Sequence, residues 1–256
     1  MKRFRLGLSF FLGAVLTAAV AVHFWFPPSA AGRQAAGSAP SHKEIITEFT
    51  KASTGNIADA VDEATGARGF MFHDMKPILK TKIMGPAATA VLRPVLHNDK
   101  AEYPNYQLQI LDEAPAGSVL VYVLEDGLET AGMGNLMATT AKVRGLAGAV
   151  IDGAVRDIEE IEEIGFPVFS RSISPATSVG RYVSVAKQVP VSCAGVRVRP
   201  GDWIVGDRTG VVVVPVEKLP RVIELLRQYD DKETKMVPII KETKSMLKAL
   251  AKYNRY

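Results

Sequence analysis

Two stretches of this chain carry residue types that could do chemistry. The first is the dipeptide Arg156-Asp157. Arginine grips a carboxylate through two parallel N–H···O bonds. An aspartate can hold a hard divalent cation such as Mg2+, which keeps several waters and takes few protein ligands. Together they suit a 2-oxo acid, with the arginine on its carboxylate and a cation on its keto and carboxylate oxygens. Asp157 also precedes Ile158-Glu159-Glu160, so it reads equally as a helix N-cap with Glu160 closing a capping box. The second stretch is Gly132-Met133-Gly134-Asn135-Leu136-Met137, a turn expected between a strand and a helix. Such a turn presents unpaired N–H groups at a helix N-terminus, where the dipole favours an anion. Met137 stands where a dinucleotide-binding fingerprint would have its third glycine, so a small carboxylate fits better than a pyrophosphate. A purely structural strand-to-helix turn has the same composition.

Other single residues carry less. Asp59 on an early helix and Asp152 beside Gly153 could reach a site, or serve on the surface or as caps. Asp202 and Asp207 fall in turns. His73 and His97 lack metal-ligand spacing and read as loop residues. Cys193 is the one cysteine, which excludes an intramolecular disulfide and a polycysteine zinc site; its apolar neighbours mark it as a buried thiol. No serine triad, phosphate-binding loop or glycine-rich methyl-donor motif is evident.

The elements that must position these residues follow from hydrophobic period and punctuation. Ser41 with Glu44 reads as a capping box, and Ser53 or Thr54 starts a second helix. Lys82–Val95 reads as a strand, 106–111 as a helix, and Val119-Leu-Val-Tyr-Val-Leu124 as a strand buried on both faces. The central stretch gives a helix over Leu136–Val143, a strand over Ala147–Ile151, a loop over Asp152–Asp157, a helix over Ile158–Ile164 and a short strand from Pro167 to Ile173. Val189–Val198 alternates apolar and polar residues. Turns at Arg199–Asp202 and Asp207–Gly210 lie on either side of the strand WIVGD, ahead of VVVVP. Beyond Pro215 an apolar stripe through Leu219, Val222, Ile223, Leu225 and Leu226 marks a helix. A last amphipathic helix is expected from Ile240 to Lys252, beyond Pro238. Strand–helix units succeeded by hairpins predict a mixed α/β domain.

The chain has 256 residues, enough for one domain of about 200 residues with extras. Its net charge of +4 is not gathered into one patch. The late lysines (Lys241, Lys244, Lys248, Lys252) and Arg255 read as a solvated helix face, and no interleaved aromatics offer a stacking platform for nucleic acid. Near the N-terminus, Lys2, Arg3 and Arg5 precede a run of 21 residues, Leu6–Phe26, without Asp, Glu, Lys or Arg. At about 1.5 Å per residue it reaches roughly 30 Å, a bilayer core. Residues 1–26 therefore read as a signal peptide or signal anchor that exports the rest of the chain. Residues 27–42 read as a Pro/Ala/Gly/Ser linker, 43–217 as the domain, and 218–256 as a helical extension.

Three segments, KIMGPAATA, GMGNLMATTAKVRGLAGAVIDGAVRDIEEIEEIGFPVFSRSISP and VPVSCAGVRVRPGDWIVGDRTGVVVVP, resemble in order and spacing the RraA-like / 4-hydroxy-4-methyl-2-oxoglutarate aldolase family. The likeness covers roughly Ser53 to Val222. It implies a mixed layered β/β/α fold of the swivelling, phosphohistidine-domain-like type with flanking helices. It also implies a divalent-metal class II aldolase or oxaloacetate decarboxylase that releases pyruvate. By that resemblance, main-chain amides of Gly134, Asn135, Leu136 and Met137 would take the pyruvate carboxylate and Arg156 the substrate oxygens. Asp157 would be the protein ligand of Mg2+ or Mn2+. Family members form trimers or hexamers with sites between subunits, so Asp59 of a neighbouring copy is a candidate extra carboxylate. Asn135 departs from the family, whose aldolases often carry an acid there; an amide can hydrogen-bond a water but cannot take its proton. A non-catalytic binding or regulatory protein of the RraA kind, and an extracytoplasmic oxo-acid sensor, are the competing readings.

Overall fold

The computed structural model describes residues 39–96 and 102–254. The expected leader, residues 27–38 of the expected linker, His97 and Arg255 lie outside these residues, and the described end of that linker runs into the first helix. Two helices open the described chain, α1 (His42–Lys51) and α2 (Thr54–Thr65), capped by the side chains of Ser41 and Ser53, which accept from the Glu44 and Asn56 N–H groups. Next come β1 (Lys76–Pro77), β2 (Ile83–Pro94), α3 (Tyr106–Glu113), β3 (Val119–Leu124), β4 (Ala131–Met133), α4 (Asn135–Val143), β5 (Gly148–Val155), α5 (Ile158–Ile164) and β6 (Val168–Ile173). The later part holds β7 (Tyr182–Lys187), β8 (Val191–Cys193), β9 (Val196–Val198), β10 (Trp203–Asp207), β11 (Gly210–Val214), α6 (Leu219–Thr243) and α7 (Met246–Tyr253).

The main sheet runs β1-β6-β5-β3-β2-β10-β11. Strands β6, β5, β3 and β2 are mutually parallel, and α3, α4 and α5 make the crossovers between them. Strand β2 is long enough to serve two partners on its other edge. Its first half pairs antiparallel with β10 (Met84↔Val205) and its second half with β7 (Arg93↔Val183). On one face of the parallel strands, Tyr122, Leu120 and Ile151 pack with Ile110, Ala138, Ala141 and Ile161 of the crossover helices. On the other, Val121, Val150 and Phe169 meet Cys193, Val198, Ile204 and Val213 from the later strands. The far side of the β10–β11 hairpin is covered by α1, α2 and α6, with Phe49, Ile57, Trp203, Val222 and Leu226 in a third cluster. The result is a layered mixed α/β fold with flanking helices, and α6 is part of its core.

Several expectations are corrected. Residues 131–133 form a strand where a turn was expected. Residues 152–155 are strand where a loop was expected, because β4 takes over the edge of β5 that β3 leaves after Asp152 (Ala131↔Ala154, Met133↔Val155). The alternating stretch 189–198 is split into the hairpin β8–β9 by Ala194 and Gly195 at φ 45° and 81°, the left-handed pair a tight hairpin turn requires. Strand β7 was not anticipated. Pro238 does not separate two helices: it sits inside α6, and the break comes at Lys244, in the left-handed region, before the Ser245 cap of α7. The packing of Met236 on the proline's N-terminal side helps hold that turn helical.

The close approach of β2 to the start of β3 needs a residue without a side chain at position 85: a Cβ there would lie 2.1 Å from the Gly117 carbonyl oxygen. Backbone cannot yield as a side chain tip can. Gly85→Ala is therefore expected to lower the free energy of unfolding by about 2 kcal/mol or more, seen as a depressed thermal midpoint.

Candidate active site

The carboxyl ends of parallel strands are where open α/β sheets place their ligands. Here β4 and β5 end side by side, because they pair up to Met133↔Val155. Each then turns directly into a helix, α4 after Gly134 and α5 after Asp157. The two stretches singled out by residue type, 22 positions apart, are thus brought together by strand pairing.

The contact between them is specific. Asp157 Oδ2 accepts a hydrogen bond from the Asn135 N–H at 3.0 Å. Arg156 Nε lies 3.6 Å from the same oxygen, and the Arg156 N–H donates to the Met133 carbonyl at 3.1 Å. Gly134 is buried beneath them; a Cβ at that position would sit 2.5 Å from Asp157 Oδ2 and 2.9 Å from Arg156 Nε. Only glycine leaves room for both side chains.

Asp157 occupies the N-cap position of α5 but does not cap it. Its backbone is left-handed (φ 57°, ψ 50°) and its side chain makes no capping bond. The expected capping box with Glu160 is therefore absent: the left-handed backbone aims the carboxylate at the neighbouring helix. Oδ1 accepts no hydrogen bond among the described residues. The side chains of Arg156 and Asp157 are 40% and 28% exposed, open enough to meet a ligand and fixed enough to orient it.

The first intrahelical bond of α4 is Ala138 N–H to the Gly134 carbonyl. The N–H groups of Asn135, Leu136 and Met137 thus have no acceptor in their own helix. Asp157 takes the first. The N–H groups of Leu136 and Met137 are left for a bound anion, and that of Gly134 also meets no acceptor among the described residues.

A cavity of about 190 Å³ opens at this point. Its floor is β4 and the α4 N-terminus with Arg156, and its walls include residues that were not singled out. Gln107 is buried; its side-chain amide donates to the Gly132 carbonyl, and its main-chain carbonyl accepts from the buried Tyr122 hydroxyl at 3.1 Å. Asn105 caps α3 and lines the cavity with Leu108. The loop at Thr177–Val179 closes the far wall, held by the Ala131 N–H to Ala176 carbonyl bond at 2.8 Å. A cap-forming Asn before an apolar helix was a readable signal. Gln107 and Thr177–Val179 had none, since only the fold brings them here.

The remaining candidates lie elsewhere or have structural work. Asp152 accepts from Arg171 Nη1 at 3.0 Å and from the Ala194 N–H at 2.5 Å. Arg171 also holds Asp74 through Nε and Nη2, at 3.0 and 2.8 Å, which keeps the Asp74 carboxyl below the usual carboxylate range. Asp202 ties down the turn at Arg199 and the Val216 N–H, and Asp207 accepts from Thr54 Oγ1 at 2.6 Å. Cys193 is buried, and desolvation raises its thiol well above the ordinary value. Asp59 is on α2, outside the lining of this chain's own cavity.

Among the described residues no group of three His, Cys, Asp or Glu side chains is placed to hold a metal ion. The donor set instead offers a single carboxylate with one open oxygen, Asp157 Oδ1. That fits a hard divalent cation held largely by water and substrate oxygens. It does not fit a closed structural site such as zinc would use.

This layered α/β domain with a small cavity at the carboxyl end of its parallel strands is a known class. Residues 54–213 match the family model for RraA-like proteins, described as Aldolase/RraA. The chain belongs to that family. It is 36% identical over 188 residues to an uncharacterized protein of Methanocaldococcus jannaschii, covering 72% of this chain and 83% of that one. It is 34% identical over 191 residues to a putative 4-hydroxy-4-methyl-2-oxoglutarate aldolase of Halalkalibacterium halodurans, covering 73% and 85%. Its fold is similar, at a TM-score of 0.67 and 28% identity, to a Streptomyces coelicolor structure described as an unusual member of the RNase ES inhibitor RraA family, covering 76% of this chain and 96% of that one.

The left-handed backbone at Asp157 predicts an order of stability among variants. Asp157→Gly and Asp157→Ala both leave the Asn135 N–H without its acceptor, but only alanine meets the left-handed penalty. The glycine variant is expected to be more stable than the alanine variant by about 1 kcal/mol in denaturant titrations.

Proposed function

We propose that this protein is a divalent-metal-dependent lyase that cleaves a 4-hydroxy-2-oxo acid and releases pyruvate. The observation that carries the reading is that Asp157 and Arg156 meet the α4 N-terminus at the edge of a small cavity, which Arg156 and residues 134–137 line. The Arg156 guanidinium lines the cavity and is suited to a bidentate grip on a substrate carboxylate. The Leu136 and Met137 N–H groups and the α4 dipole add to the attraction for that anion. Asp157 Oδ1 would hold Mg2+ or Mn2+, which supplies a Lewis acid for developing negative charge.

In the reaction the 4-hydroxyl loses its proton and the C3–C4 bond breaks. The C3–C4 electron pair passes to the pyruvoyl half as its enolate, and C4 leaves as a carbonyl. The enolate then takes a proton at C3 to give pyruvate. Arg156 stabilises the charge that grows on the enolate oxygens. Asn135 cannot accept the hydroxyl proton, so water carries it. Loss of CO2 from a 3-carboxylated 2-oxo acid passes through the same enolate, so a decarboxylase activity of this site would use the same residues.

The setting of the activity belongs to the same proposal. The apolar run Leu6–Phe26 behind Lys2, Arg3 and Arg5 supports an exported domain, anchored or released. A homotrimer or hexamer, with Asp59 supplied by a neighbouring copy, is the arrangement the family resemblance supports. Among the described residues no helix is long and apolar enough to cross a membrane.

Pyruvate itself tests the reading, because its methyl protons exchange only through the enolate. The chain is expected to exchange pyruvate protons into D2O with Mg2+ or Mn2+, to stop with EDTA, and to fall at least about a hundredfold in Asp157→Ala. An unchanged rate in the variant or in EDTA would remove the proposal. Pyruvate binding without any exchange would favour the sensor.

A further inference from the structure

The last helix carries positive charge and apolar surface on one side. After the break at Lys244, α7 folds back on the end of α6, and Lys232 Nζ of α6 donates to the Asn254 carbonyl at 3.1 Å to close the pair. Ala249 is buried and Leu250 and Tyr253 are half-buried, which marks the inner side of α7. Leu247, Lys248, Ala251 and Lys252 are exposed, and their i, i+1, i+4 and i+5 spacing sets them on one outer stripe. Leu247 is 78% exposed. Lys244 adds a third ammonium just before the helix, and no acidic residue occurs from there to Asn254. Earlier on α6, Lys235 is paired with Asp231, but among the described residues none of these three lysines meets a carboxylate.

A lone exposed leucine is ordinary. Set among unpaired lysines it suits an anionic bilayer, where ammonium groups reach headgroup phosphates and the apolar side chain enters the interface. Nucleic acid fits less well: Tyr253 is half-buried with Lys252 over its ring, and so offers no free stacking platform. We propose that the outer stripe of α7 docks on the surface of an anionic phospholipid bilayer. This rests on the anchored form of the exported reading above, and adds a second point of attachment. Near such a surface each lysine contributes a factor on the order of fivefold. Three give about a hundredfold, too little to hold a free protein but enough for a domain that a tether keeps at high local concentration. The lengths allow both attachments. Arg227 of α6 bonds Glu44 and Glu48 of α1, so the chain enters the domain beside α6. From Arg227 to Thr243 the helix runs about 24 Å, and residues 27–41 can span up to about 50 Å.

The test uses the full chain reconstituted into vesicles of phosphatidylcholine, with or without phosphatidylglycerol. Leu247→Cys carries a polarity-sensitive dye; the native Cys193 is buried and stays unlabelled. A blue shift of the dye is expected in the anionic vesicles and not in the zwitterionic ones. It is expected to vanish at about 1 M salt, where screening falls to about 3 Å. Replacing Lys244, Lys248 and Lys252 together by glutamine is expected to lower the docked-to-free ratio about a hundredfold. The same dye on Val143→Cys, 83% exposed at the end of α4, is expected to stay unshifted. Vesicle-bound chain without the shift at Leu247→Cys, an equal shift in both lipids, an equal shift at Val143→Cys, or indifference to the glutamines would overturn the docking and leave the anchor intact. A shift raised in zwitterionic vesicles by added RNA, or by crowding more copies into them, would also overturn it and assign the stripe to nucleic acid or to a second copy. Failure of the chain to float with either kind of vesicle would instead overturn the anchor, and the docking with it.

Discussion

One hydrogen bond organises the site: the Asn135 N–H to Asp157 Oδ2, at 3.0 Å. It joins the N-termini of two helices that succeed neighbouring parallel strands, and so couples the strand-to-helix turns on which every candidate group resides. It is made at the expense of local preference. Asp157 is held in the left-handed region, which is unfavourable for a residue with a Cβ, although Asp and Asn tolerate it better than most. The ordinary alternative, an extended backbone with the carboxylate capping its own helix as Ser41 and Ser53 do, would satisfy α5 and leave Asn135 unserved. A backbone held against its local preference near a cavity is an observation from which a functional role is inferred, and here the left-handed geometry leaves the second carboxylate oxygen open.

The surrounding fold can hold that geometry because it fixes both ends. Strand β5 is paired along its first half to β3 and along its second half to β4, so the direction in which Val155 delivers Arg156 and Asp157 is set twice. Gln107 adds a third constraint from below by hydrogen-bonding the Gly132 carbonyl, and it is itself anchored by the Tyr122 hydroxyl in the core. Gly134 then admits the two side chains to within reach of the α4 N-terminus. A chain of packed and hydrogen-bonded groups thus runs from the centre of the sheet to the cavity. The protein has little freedom to re-aim Asp157 without disturbing its core.

Much of this was legible in the residues. The helices announced themselves through Ser41, Ser53 and their apolar periods, and the buried strands through continuous runs such as Val119–Leu124. The pairing of Arg156-Asp157 with Gly134-Asn135 was legible as composition; that they meet is a consequence of β4, which is three residues long and has no local signature. A strand as short as β4 is stabilised by its partner rather than by its own period, and so escapes a reading that looks along the chain. Pro238 misled for the reciprocal reason. A proline's local preference argues for a helix end, but the turn around it is embedded in a helix packed on α2 and α7. The left-handed Asp157 is a tertiary effect of the same kind: read locally, Asp157 with Glu160 is a capping box, and only the neighbouring helix supplies the competing donor.

The residues that line the cavity come from two kinds of element. The floor is built from strand ends and helix termini, which the parallel sheet places with little latitude. The far wall comes from the α3 N-terminus and the Thr177–Val179 loop, segments held by a few backbone bonds and largely exposed. Chemistry that depends on close alignment belongs on the first set. On the second, a side chain can change without moving the sheet. Val179 illustrates the point: at 79% exposure its replacement would disturb no core residue, whereas a single added carbon at Gly134 would press on both Arg156 and Asp157. Under the proposed lyase reading, the fold separates the strand-end groups that would carry the reaction from the exposed residues around them.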